Sequence, residues 1–219
     1  ILVSAPTYLI LLLAHIPAGI GWGSSGPIGG IHAQLIERHS GKIISPYYAM
    51  GFNIGIFIGG ILAGFILGNT MSPTFVFLIL FFLSIIVSLI IYMNGLPKDL
   101  DFKGEGEKLK IPEKNVLIFG LLLFVIFGSN GIIIDWSALW FTKELNAPLY
   151  LASLGLICLS CGGIFANLFS NQLINLFSEK IVGCYFVIFG SLILLVSIVI
   201  GNFYIILITF FVYGFATAN

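Results

Sequence analysis

The sequence predicts an all-α membrane protein, a polytopic bundle of about seven transmembrane helices, and three observations predict it. Hydrophobic residues fill 59% of the 219 positions and charged residues only 8%, against roughly a quarter charged in a soluble domain. Apolar runs of about twenty residues recur, each long enough to cross ~30 Å of hydrocarbon at 1.5 Å per residue. The runs lack the apolar-polar alternation over about ten residues that marks a membrane barrel strand.

The first run covers about residues 8 to 35, after ILVSAPT, which reads as the tail of an earlier span and its turn. His15, Gly19, Trp22, Gly26 and Gly29 share one face at helical spacing. Trp22 falls near mid-depth, beyond the reach of an interfacial aromatic belt. An indole there, in the company of His15, Ser24 and Ser25, reads as the lining of a cavity; a satisfied packing role is the alternative for His15. The second run, 46 to 68, has glycines at 51, 55 and 59 and again at 60, 64 and 68. Such i, i+4 rows let helix backbones approach closely in lipid. They read as tight packing or as a sliding contact, with Gly55 and Gly59 in the first row.

A third run, 73 to 93, follows the short connection NTMSP. The polar stretch from Asn94 to Asn115 then holds ten of the eighteen charged residues, so it divides the chain into three spans and four. The fourth run is 116 to 141, the fifth 149 to 170, the sixth 181 to 200 and the seventh 203 to 219. Cys158, Cys161 and Cys184 all sit inside apolar runs, where they read as small packing residues and not as disulfides or metal ligands. GGIFAN and similar glycine-rich strings read as packing too.

Net charge is zero, which offers nothing to nucleic acid. Lys and Arg are distributed unevenly between the two sides. Arg38, Lys42, Lys98, Lys103, Lys108, Lys110, Lys114 and Lys180 lie on one side and Lys143 alone on the other, which places the long loop in the cytoplasm. No phosphate-binding loop, nucleophile elbow or metal-spaced His/Cys cluster occurs. The sequence therefore predicts no enzyme, no cofactor and no metal site.

In the fourth run, GIIIDWSALWF carries one carboxylate, Asp135. Burial of a charge at the bilayer centre costs about 2.5 to 3.5 kcal/mol on insertion scales, so its depth matters. It stands about twenty residues from Asn115, or ~30 Å along the axis, at the outer edge. Gly128, Ser129 and Asn130 occupy the middle. At 100° per residue Ser129, Trp136 and Trp140 share a face, with Asn130 and Ser137 beside it. Asp135 falls with Phe124, Gly128 and Gly131, roughly 140° from Asn130, on a glycine stripe expected to pack against a neighbour.

NGIIIDWSALWFTKELNAP resembles the seventh-helix signature, about EG-x-x-x-DWS-x-x-YL, of a branch of the major facilitator superfamily related to fucose permease. IHAQLIERHSGKIISPYYAMGFNIGIFIGGILAG resembles that branch's passage from helix four into helix five. The resemblance implies helices four to ten of twelve: residues 1 to 93 end the N-terminal six-helix bundle, 94 to 115 link the bundles, and 116 to 219 begin the C-terminal bundle. It also implies alternating access around a cavity lined by helices one, four, seven and ten, with substrate near the midplane. Tyr213, Thr217 and Asn219 would be helix ten's contribution.

The departures from the family pattern are informative. Asn130 replaces the glutamate five residues before the aspartate, which removes a protonatable group, and His32 replaces an asparagine. The loop pattern G-D-R-L-x-D-R-F-G appears as SNQLINLFS, with Asn171, Gln172 and Asn175 in place of charged residues. Neutral bonds have about half the strength of charge-assisted ones, so an inner latch built there would be weak.

The reading that follows is a secondary transporter of a small polar solute, a sugar or related neutral compound. His15, Trp22, Ser25, Asn130, Trp136, Ser137, Trp140 and Tyr213 are its candidate binding residues, and Asp135, Asn171, Gln172, Asn175, Gly55 and Gly59 its gating or structural ones. The expected partners are the lipid bilayer, the small-molecule substrate and a coupling proton. A full-length monomer in a bacterial cytoplasmic membrane is expected. Efflux of amphipathic compounds and a seven-helix receptor are the competing readings; the last span lacks a lysine for a retinal linkage.

Overall fold

A computed structural model describes residues 7–69, 72–94, 112–178 and 181–218. It contains seven α-helices in chain order: α1 (Tyr8–Ser40), α2 (Ser45–Gly68), α3 (Pro73–Asn94), α4 (Lys114–Lys143), α5 (Leu154–Phe177), α6 (Phe186–Ile200) and α7 (Phe203–Thr217). A single 3-10 turn, Leu149–Leu151, precedes α5 and a π-turn, Ile181–Tyr185, opens α6. No strand occurs among the described residues. The first six helical segments are long and apolar enough to cross a bilayer. α7 has 15 described helical residues, ~22 Å at 1.5 Å per residue. Residues 1–6 and 95–111, Lys180 and Asn219 lie outside the described residues, and with them most of the loop and of the lysines that orient the chain.

Close packing divides the chain into two units. One holds α1 and α3; the other holds α2 and α4 to α7. The grouping of α2 with the later helices follows residue contacts, whereas the three-and-four division follows the polar stretch in the sequence.

In the first unit, α1 begins at Thr7, whose side chain accepts a hydrogen bond from Ile10 N at 3.4 Å, and ends at Gly41, whose φ of 67° suits a residue without a side chain. Pro17 and Pro27 lie inside it, each removing one helical N–H donor. Ala33 is its one buried residue. α3 is apolar on every side and its described side chains are almost all exposed, as suits a helix meant for an apolar surrounding.

The second unit has a core. Ile133, Phe141, Leu159, Ile206, Phe210 and Tyr213 form one buried cluster from α4, α5 and α7. Phe141 stacks on Phe210 at 5.6 Å between ring centres and meets Phe203 edge-on at 5.2 Å; such pairs stabilise by about 0.5–1.5 kcal/mol beyond the area they bury.

Glycines set the helix spacing. A methyl group on Gly162 would overlap the Phe211 carbonyl oxygen, and one on Gly214 would overlap that of Leu159. α5 and α7 thus cross with backbones touching, each glycine's Cα against the other helix's carbonyl, the arrangement of weak Cα–H···O contacts. Along α2 a methyl on Gly60 would stand 2.9 Å from Ile157 Cγ1, and one on Gly64 2.7 Å from Ser153 Oγ. At Gly68 it would make an ordinary 3.4 Å contact with Tyr150 Cβ. Gly163 of α5 lies beneath the Asn53 amide of α2. The pairs 53–163, 60–157, 64–153 and 68–150 run in opposite senses, so α2 and α5 are antiparallel neighbours for about 22 Å.

Candidate functional site

α4 presents Asn130, Ile133, Ile134, Ser137, Trp140 and Phe141 to the bundle interior, positions three or four apart that form one helical stripe. The predicted face held Ser129, Trp136 and Trp140, with Asn130 and Ser137 beside it; the structure centres the inward stripe on Ser137, a rotation of about 80°. Ser137 is 3% exposed, whereas Trp136 is 61% exposed. Asp135 is exposed as well, and methyl groups at Gly128 or Gly131 would meet nothing within 4 Å, so the expected packing of that glycine stripe on a neighbour is absent among the described residues.

On α4, Ser129 Oγ donates to the Val125 carbonyl at 2.8 Å, and the phenol of Tyr213 from α7, 3% exposed, lies near that side chain. One residue on, Asn130 Oδ1 is buried with no hydrogen-bond partner. Two turns further, Ser137 Oγ is also buried and unpartnered. It is wedged where a methyl on Gly155 would stand 3.0 Å from it and from Phe210, and 3.2 Å from Phe141. Buried polar atoms in native structures nearly always have partners, and more so in a bilayer core. Two orphans on one stripe therefore mark it as unusual. The stripe carries amides, hydroxyls and aromatic rings, and no carboxylate, lysine, arginine or histidine. Trp140 is half-buried, its ring 5.8 Å from that of Phe141 and tilted 40° to it.

The α1 candidates belong to the other unit. His15 Nδ1 donates to the Leu11 carbonyl at 2.8 Å, and Ser25 Oγ to that of Trp22 at 2.8 Å. Both polar side chains are thus satisfied by their own helix, and Trp22 is 63% exposed.

Of the remaining residues, Asn171, Gln172 and Asn175 are exposed near the end of α5. At Gly55 and Gly59 a methyl group would meet nothing within 4 Å; α5 lies instead against the second glycine row, at 60, 64 and 68. Among the described residues no cluster of three or more His, Cys, Asp or Glu could hold a metal ion.

Several polar groups escaped the sequence reading. Ser197 of α6 and Thr209 of α7 share a buried 2.8 Å hydrogen bond. Asn53 Nδ2 donates to the Ala49 carbonyl at 3.1 Å, and Asn167 Nδ2 to that of Gly163 at 2.8 Å. Their signal was available as single polar residues inside apolar runs, but the Ser197–Thr209 bond joins two helices and follows no local pattern.

No curated protein and no solved structure matches the chain. The family model of the Major Facilitator Superfamily matches residues 1–219, the whole of the chain. Together with six apolar helices fit to cross a bilayer, that match makes this multi-pass membrane protein a member of the Major Facilitator Superfamily, a family of membrane transporters.

Proposed function

We propose that the protein is a secondary transporter of a small neutral polar solute, of which a sugar or polyol is the best-fitting class. The observation that carries the reading is the buried, unpartnered Asn130 oxygen beside the Ser129–Tyr213 pair. An amide oxygen can only accept, so it calls for a ligand that donates a hydroxyl or N–H. Aromatic surface and neutral hydrogen-bonding groups suit a polyol, and a stripe without charge favours an uncharged cargo.

Alternating access is supported by where the polar groups find partners. Asn53 and Asn167, which flank Gly163 at the α2–α5 seam, each bond to a carbonyl of their own helix. Sliding this seam strands no polar group in lipid. Ser197–Thr209 instead ties α6 to α7. On this reading α6 and α7 move as one body while α2 shifts across α5. The lysine count favours a cytoplasmic long loop, and a bacterial cytoplasmic membrane is the setting that reading assumes.

Uptake by the intact protein in proteoliposomes, screened over radiolabelled neutral sugars and polyols, is the test. Asn130→Leu should raise KM at least tenfold for the transported solute. If the variant transports like the parent, the site is misassigned; a preference for amphipathic cations moving outward would replace the sugar reading with efflux.

A further inference from the structure

Cys158 and Cys161 are free thiols on successive turns of α5, both half-buried. Residues three apart on a helix lie roughly 60° apart around the axis, with Cβ atoms about 5–6 Å from one another. Two metal–sulfur bonds of about 2.3 Å each bridge such a gap. Cys158 rests against the buried cluster that includes Phe210 and Tyr213.

We propose that this pair is a two-coordinate site for a thiophilic centre that forms a neutral dithiolate, either Hg(II) or a monosubstituted trivalent arsenical. Two features of the surroundings select that chemistry. No third His, Cys, Asp or Glu among the described residues joins the pair, so a tetrahedral zinc site has too few ligands. The pair also lies within an apolar helix long enough to span a bilayer, where net charge is expensive. Two thiolates on Cu(I) would leave one negative charge; on Hg(II), or on the arsenic of an arsenical that retains one carbon substituent, they leave none. The reactions balance without a redox partner. Phenylarsine oxide condenses with two thiols to form two As–S bonds and release one water; Hg(II) displaces two protons, which pass to solvent.

Phenylarsine oxide and HgCl2 are the probes, applied to the intact protein in detergent micelles. Treatment with the arsenical should remove two maleimide-reactive thiols per chain, with one phenylarsenic adduct by intact mass. The adduct should resist excess 2-mercaptoethanol and release with 2,3-dimercaptopropanol. Cys158→Ser, Cys161→Ser and, as a packing-matched control, Cys158→Ala should each make the adduct releasable by monothiol and weaken it at least tenfold, because the second bond is intramolecular. Hg(II) should give thiolate charge-transfer absorption in the parent that each of these variants loses. Cys184→Ser should behave as the parent. Unchanged thiol reactivity after treatment, an adduct that still resists monothiol in either Cys158 variant, or loss of binding in Cys184→Ser would overturn the assignment. None of these readouts requires transport, so they stand apart from the proposed cargo.

Discussion

Replacement of Gly163 by alanine places a methyl carbon 2.5 Å from Asn53 Oδ1, 2.7 Å from Cγ and 2.9 Å from Nδ2. Ordinary contact begins near 3.4 Å, so the amide must retreat by up to about 1 Å or the helices must part. The amide is not free to swing, because its nitrogen is bonded to the Ala49 carbonyl. Loss of that bond costs about 1 kcal/mol, and forced overpacking costs about 1–3 kcal/mol. A destabilisation of about 1–3 kcal/mol corresponds to a Tm lower by roughly 2–12 °C for a chain of this size. Thermal unfolding of the purified protein, followed by tryptophan fluorescence, would read it. Asn53→Ala removes the obstructing atoms, so Asn53→Ala/Gly163→Ala should recover most of the loss, with a coupling of about 1–3 kcal/mol. Gly162→Ala is the contrast, since its methyl group meets the backbone of Phe211 and Phe215, and no side-chain truncation can relieve that. Additive single effects at 53 and 163, or a Gly163→Ala protein as stable as the parent, would refute the packing described for the seam.

Gly60→Ala should destabilise by about 1 kcal/mol or more through Ile157, whereas Gly59→Ala, with open space around it, should be neutral or stabilise by about 0.5–1 kcal/mol through helix propensity; thermal shifts separate them. Ser197→Ala should cost about 1 kcal/mol in the same assay, and Ser197→Ala/Thr209→Val less than the sum of the single changes, since paired removal leaves no polar group behind. Asn130→Asp should make uptake pH-dependent. A protonated aspartic acid keeps an uncharged, asparagine-like side chain whereas the carboxylate places a charge in the apolar span, so uptake in a pH series should persist at low pH and fall as the pH rises.

The spans were legible because a bilayer demands long apolar helices, and each predicted run finds its helix within a few residues except at two places. The run from 149 to 170 conceals a break: Leu149–Leu151 is a separate turn, and α5 runs from Leu154 on to Phe177, past the apolar limit into the polar Asn171, Gln172 and Asn175. Polar residues that follow a helix axis into the interface do not end the helix. α1 similarly continues past 35 to Ser40, where Gly41 stops it. Two glycine rows of equal spacing looked alike in α2, and only the placement of α5 distinguishes the packed row from the open one. Trp136 drew the face of α4 toward itself for the same reason, since helical projection fixes angles between residues but not which way a neighbour lies. Asn130, Ser137, Trp140 and Tyr213 were recognisable as polar or aromatic residues inside apolar runs. That Ser129 lies near Tyr213, 84 positions later in the sequence, was beyond any local pattern.

α6 and α7 are joined by two residues, Gly201 in a left-handed turn and Asn202, whose side chain caps Tyr204 N and Ile205 N. A connection that short allows no slack during biosynthesis, so the two helices must leave the translocation channel together as a hairpin. Their hydroxyls travel already satisfied: Ser197 Oγ bonds the Leu194 carbonyl, Thr209 Oγ1 bonds that of Ile206, and the two bond each other. The pair can therefore dock as a finished unit on α5, which precedes it in the chain and reaches the membrane first.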